Sequence, residues 1–108
     1  MEVKMHTRRL NPYADEKITV TSSAVKTLTA NTYQDTPSRK VAMAKITVEG
    51  GDMHYRVTGN NPTADTGHKL TAGDILTLTN LLEIQKFKVI ADGASDGILY
   101  VTYYEFTE

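Results

Sequence analysis

The chain has 108 residues, 12 basic and 13 acidic side chains, a net charge of −1, three histidines and no cysteine, which suits one domain with a single modest core. That balance supplies no global field to draw nucleic acid or an anionic membrane, and the missing cysteines exclude a disulfide framework and a thiolate metal site. With 40% hydrophobic and 23% charged residues the composition is globular, and frequent threonine with six tyrosines favours strands over helices.

Residues 1–16 hold no sustained periodicity and contain the turn-favouring step Asn11-Pro12, so they are expected to form an irregular N-terminal arm ahead of a domain over 17–108. Lys4, Arg8 and Arg9 are candidates to touch an anionic partner, but Glu2, Asp15 and Glu16 offset them, which favours a solvated tail or, in an oligomer, an arm packed on a neighbour. No apolar run marks a Sec-type signal, and nothing reaches the roughly 18 residues of a bilayer span, so a soluble product is expected. From Lys17 to Leu28 β-branched residues dominate, with Ile18 and Val20 on one face and Ser22-Ser23 breaking the run, which predicts two short strands. Thr29 to Lys40 is a polar loop with Tyr33 as its large apolar anchor.

The clearest local signal is Val41 to Thr58, two alternating runs around Gly50-Gly51. Ala44, Ile46 and Val48 share one face of the first run, and Met53, Tyr55 and Val57 share one face of the second. Closed as a hairpin, this places Val48 opposite Met53, Ile46 opposite Tyr55 and Ala44 opposite Val57. Lys45 then faces Arg56, a like-charge pair that asks for an acidic group or a partner.

Gly59 to His68 is a long polar connection, with Gly67 expected at positive φ and His68 expected to bond loop backbone. A short strand, a turn at Ala72-Gly73-Asp74 and a strand with Leu76 and Leu78 inward follow. Over Ile84 to Ala91, Phe87, Val89 and Ala91 face in, while Ile84 falls on the wrong parity. A bulge near Gln85, a later strand start, or a single helical turn capped by Asn80 would explain it. Asp92 to Gly97 is expected to be a hairpin loop into the last strand, Ile98 to Phe106, where Leu99, Val101 and Tyr103 alternate with Tyr100, Thr102 and Tyr104. Both faces of that strand are apolar or aromatic, as in a strand covered on both sides. Seven or eight short strands with regular turn signals predict an all-β fold, an antiparallel β-sandwich of jelly-roll type.

No residue pattern for chemistry stands out. His54 and His68 with Asp52 or Asp65 lack the spacing of a strand-borne metal site, the serines occupy turn contexts, and Asp65, Asp74 and Asp92 sit at turn steps whose carboxylates bond local backbone. The expectation is no enzyme, no cofactor and no metal. The candidate partner or subunit contacts are Arg8, Arg9, Lys45, Arg56, Tyr100 and Tyr104. For the tyrosine pair three readings stand: sandwich packing, a subunit interface, or stacking on a sugar ring. Lys45, Arg56, Lys86 and Lys88 make either a basic patch or a solvated face, and without interleaved aromatics they suit nucleic acid poorly.

The run Val48-Glu49-Gly50, Tyr55-Arg56, Pro62-Thr63, Gly67-His68, Gly73-Asp74 and Val101-Thr102-Tyr103 resembles small β-sandwich proteins of tailed bacteriophage virions, over roughly Ile18 to Tyr104. The resemblance implies a structural role in the virion, assembled in the host cytoplasm, with capsid decoration or head stabilisation first and a neck or tail part second. It implies the major capsid protein or another virion protein as partner, a homo-oligomer (a trimer is expected), and neither nucleic acid nor membrane. A carbohydrate-binding module for host adsorption is the alternative, with a glycan as ligand, and a cupin-like metalloenzyme is a third reading.

Overall fold

Alternation of apolar side chains decides which face of each strand is buried, and the turns decide how the strands divide between two sheets. The computed structural model describes residues 9–107. Its strands are β1 (Arg9–Val20), β2 (Lys26–Thr27), β3 (Val41–Gly50), β4 (Met53–Arg56), β5 (His68–Leu70), β6 (Ile75–Leu78), β7 (Lys88–Ala91) and β8 (Gly97–Thr107). Two short helices, α1 (Ala30–Tyr33) and α2 (Leu81–Lys86), interrupt them. One sheet has the order β1-β8-β3-β6 and the other β2-β7-β4-β5. Every strand pairing is antiparallel, and the pairs β1–β8, β2–β7, β3–β6 and β4–β5 nest from the chain ends inward. Such nesting is one long antiparallel ribbon rolled on itself, the expected jelly roll.

Between the sheets lie Val20, Ala44, Ile46, Val48, Met53, Leu78, Phe87, Val89, Leu99, Val101 and Tyr103, all essentially without solvent exposure. These are the inward positions of the alternating runs. Their burial is the main driving force of the fold, at roughly 1.5–3 kcal/mol for each large apolar side chain removed from water.

The stretch Val41 to Thr58 keeps its predicted parity and loses its predicted pairing. β3 and β4 belong to different sheets, so Val48 does not face Met53, nor Ile46 Tyr55, nor Ala44 Val57. Ile46 lies between Val101 and Leu76, and Tyr55 between Val89 and His68. Gly50-Gly51 is therefore a corner from one sheet to the other. A second corner, 92–97, replaces the expected hairpin between β7 and β8, and the two corners lock together. Gly51 N–H donates to the Asp96 carbonyl at 2.9 Å, and Asp92 N–H donates to the Asp52 carbonyl at 3.0 Å. A Cβ on Gly51 would stand 2.3 Å from the Ser95 carbonyl oxygen, so only glycine fits that approach.

The expected arm over 1–16 is corrected from Arg9 onward. Residues 9–16 are the first part of β1, paired to β8 from Arg9 opposite Thr107 to Val20 opposite Gly97, straight through the expected boundary at residue 17. A register shift between Pro12 and Ala14 breaks the alternation there and hides the strand. Proline is tolerated because β1 is an edge strand, where one side of the backbone needs no partner. The first eight residues of the expected arm lie outside the described residues.

Ile84 falls off strand parity because it belongs to α2, where it is buried. Asn80 caps that helix as anticipated: its side-chain oxygen accepts from Glu83 N–H at 2.9 Å, and its amide donates to Glu83 Oε1 at 2.9 Å.

Candidate functional site

Three places in the fold hold side chains beyond what the core requires. The largest is the outer face of the β1-β8-β3-β6 sheet. Because Leu99, Val101 and Tyr103 point inward, Ile98, Tyr100, Tyr104 and Phe106 of β8 point out, so among the described residues the last strand is covered on one face and not on both as expected. Register extends the pattern across the sheet. Tyr100 lies between Lys17 and Thr47, Thr47 pairs with Ile75, Tyr104 lies between Pro12 and Met43, and Phe106 pairs with Leu10. The described residues include five exposed large hydrophobics: Leu10 at 45%, Ile75 at 65%, Leu82 at 58%, Tyr100 at 41% and Phe106 at 37%. All but Leu82 stand on this face. Lys17 Nζ sits 5.8 Å from the centre of the Tyr100 ring, and a shallow groove of about 400 Å³ runs beside it, lined by Asp15, Lys17 and Thr102.

The second place joins the loop from Thr29 to Lys40 to the end of the sandwich. Tyr33 anchors that loop as expected, its ring 5.6 Å from that of Tyr103. Tyr103, fully buried, donates to Glu16 Oε2 at 2.5 Å, and the same carboxylate accepts from Thr29 N–H at 3.2 Å and the Thr29 hydroxyl at 2.6 Å. Burial, with the Glu16 bond added, holds the Tyr103 hydroxyl far above the ordinary tyrosine range. Tyr13, in the register shift of β1, donates to the Tyr33 carbonyl at 2.6 Å, and burial pushes its hydroxyl up to about 12 against the opposing field of Arg39. Arg39 bonds both oxygens of Asp35 at 2.8 Å, reaches Glu105 at 2.7 Å and lies over the Tyr13 ring at 4.3 Å. Its bond holds the Asp35 carboxyl below its usual range. Glu16, Tyr13 and Arg39 tie the loop to the sheet through these bonds.

The third place is the outer face of the β2-β7-β4-β5 sheet. Arg56 of β4 pairs in register with Lys88 of β7, and His54 pairs with Lys69 of β5. Lys69 reaches Asp52 at 3.4 Å, while Lys88 donates to Asn61 Oδ1 at 3.2 Å.

Lys45 and Arg56 consequently stand on opposite outer faces. The like-charge pair drawn between them does not exist, because Lys45 lies between Thr102 and Thr77, and the like-charge neighbour of Arg56 is Lys88. The four-residue basic patch divides in the same way, with Lys86 in the last turn of α2. Arg9 is exposed at the start of β1, and Arg8 lies outside the described residues. Leu10, Ile75 and Phe106 went unnoticed in the sequence. Ile75 and Phe106 were legible there, since Ile75 has the parity opposite to Leu76 and Leu78, and Phe106 shares the parity of Tyr100 and Tyr104.

Gly67 adopts φ of +130° as expected, but His68 does not bond loop backbone: its ring lies 5.2 Å from that of Tyr55. Asp74 accepts from Thr71 N–H at 2.8 Å and Asp92 from Ala94 N–H at 3.2 Å, the local backbone bonding anticipated for them, whereas Asp65 accepts from the Thr63 hydroxyl at 2.9 Å instead of from backbone. Among the described residues no three histidine, aspartate or glutamate side chains gather in a way that would hold a metal ion. Compared with family models, with curated proteins and with solved structures, the chain matches none.

Proposed function

We propose that this chain is a non-enzymatic structural protein that binds a protein lattice through the outer face of its β1-β8-β3-β6 sheet, as a capsid decoration or head-stabilising component of a tailed phage virion. The observation that carries the reading is the gathering of Leu10, Ile75, Tyr100 and Phe106 on one sheet face. Single exposed apolar residues are ordinary on a monomer, whereas here they gather on one sheet face in two groups, Leu10 and Phe106 beside Tyr104 and Tyr100 near Ile75, with Asp15, Thr102 and Lys45 in register between them. Tyr100 and Tyr104, one in each group, are of the residue type that dominates interface energetics. The scaffold beneath is rigid, an eight-stranded roll whose end is clamped by Glu16, Tyr103 and Arg39. The resemblance over Ile18 to Tyr104 supplies the virion setting, and a trimer is the assembly proposed. Mass spectrometry of purified particles of the encoding phage tests it. The protein is expected at a fixed ratio to the major capsid protein, and its absence from particles would refute the proposal.

A second reading is favoured by the groove beside Tyr100, where an exposed ring lies next to Asp15, Lys17 and Thr102. That combination suits a sugar ring stacked on tyrosine with its hydroxyls bonded at the side. Titration with host surface polysaccharide separates the two. Binding lost in Tyr100→Ala without change of oligomer size would establish the module, and no binding by any host glycan would remove it.

A further inference from the structure

The outer face of the other sheet carries a feature that the proposed assembly does not use, centred on Arg56. Register places Lys88 directly on one side of Arg56. On the other side lies Gly67, since His68 pairs with Tyr55 and the Arg56 Cγ sits 3.4 Å from where a Gly67 Cβ would stand. With no side chain on Gly67, an open cleft of about 340 Å³ remains beside Arg56 on the side away from Lys88, lined by Arg56, Val57, Thr58, Thr66, Gly67 and His68. The glycine is required there, because its φ of +130° and a 2.8 Å approach to the Tyr55 carbonyl exclude any Cβ.

The charges of this row are not balanced. Like charges directly opposite in a sheet destabilise it, and among the described residues the Arg56 side chain makes no hydrogen bond or ion pair. Of the nearby carboxylates, Asp52 is paired with Lys69 at 3.4 Å, and Asp65 bonds the Thr63 and Thr66 hydroxyls at 2.9 and 3.5 Å and forms no ion pair with Arg56. Lys88 has only the neutral Asn61 oxygen. A planar guanidinium takes two oxygens of a carboxylate, phosphate or sulfate at once, an ammonium beside it adds a point charge, and the Thr58 hydroxyl supplies a neutral donor at the cleft.

We propose that Arg56 and Lys88, with the cleft over Gly67, form a binding site for an oxyanion: a phosphate, sulfate or carboxylate, either free or at the end of a small ligand such as an acidic sugar. The anion neutralises the Arg56–Lys88 row, and the cleft accommodates about one sugar-sized group behind it. The site lies on the opposite sheet from the proposed lattice-binding face, so either stands without the other.

Titration of the full chain with inorganic phosphate, sulfate, glucose 6-phosphate, glucuronate and neutral glucose, followed by amide chemical shifts, tests it. Saturable shifts at Arg56, Gly67 and Lys88 are expected with the anions and none with glucose. Arg56→Gln should weaken binding at least tenfold and Lys88→Gln several-fold, whereas Lys45→Gln on the other sheet should leave it unchanged. Tighter binding of glucose 6-phosphate than of phosphate assigns the anion to a sugar ligand, and equal affinity assigns it to the free ion. No saturable shift with any anion, or undiminished binding in Arg56→Gln, overturns the proposal.

Discussion

The Tyr103 hydroxyl donates a 2.5 Å hydrogen bond to Glu16, joining the last strand to the first at the end of the sandwich where the Thr29 to Lys40 loop closes over the core. Glu16→Ala removes the acceptor of a buried hydroxyl and both Thr29 bonds, and should cost about 1–3 kcal/mol in urea unfolding. Tyr103→Phe, which leaves Glu16 its Thr29 partners, should cost about 1 kcal/mol.

Tyr103 and Tyr13 set the alkaline limit of stability. Tyr103 and Tyr13 both have folded-state pKa values raised above the ordinary tyrosine value of 10.0. Above pH 10 the unfolded chain releases protons that the folded chain keeps, so stability from these groups is fully present below pH 10 and falls as pH rises beyond it. Urea midpoints measured from pH 8 to 11 should be level and then decline, and Tyr103→Phe should decline less steeply.

Gly51 tests the corner between the sheets. Gly51→Ala forces a methyl against the Ser95 carbonyl, 2.3 Å from its ideal position, and should destabilise by about 1–3 kcal/mol without altering strand content by circular dichroism. An unchanged unfolding midpoint would mean that the two corners do not abut.

That corner also shows how far the sequence carries. Alternation at Ala44, Ile46 and Val48, at Met53 and Tyr55, and at Leu99, Val101 and Tyr103 reports which side of a strand is dry, and every one of those positions faces the core. It carries no information about which strand lies alongside, so Gly50-Gly51 looks the same whether it closes a hairpin or turns a corner. The close approach that demands Gly51 involves Ser95 and Asp96, more than forty positions away, and no local pattern contains it. β1 was hidden by Asn11-Pro12 and the register shift beside it, which erase alternation while leaving the ladder to β8 intact. The Arg56–Lys88 row needs sheet order to be visible. The outward aromatics of β8 were readable throughout, although only the structure leaves them uncovered.

Asn80 was legible as a cap because side-chain capping is local. Asn80→Ala should cost about 1 kcal/mol by loss of the bond from Glu83 N–H, and Asn80→Asp, which keeps that acceptor but sets a second carboxylate against Glu83 Oε1, should recover only part of it. Equal stability of all three forms in urea would contradict the cap.

Arg39 works through geometry as much as charge, bonding both Asp35 oxygens while lying over Tyr13. Arg39→Lys keeps the charge but not the fork, so it should lower the thermal midpoint nearly as much as Arg39→Ala, and added salt should shrink both effects. Full rescue by lysine would show that charge alone matters.

The most direct measurement is hydroxyl-radical footprinting of the protein in intact particles beside the free protein. Oxidation of Tyr100, Phe106 and Leu10 should fall several-fold in particles while Leu82 on α2 reacts at its free rate. Equal reactivity of the sheet face in both states, or a particle that lacks the protein, would contradict the assignment of that face to lattice binding.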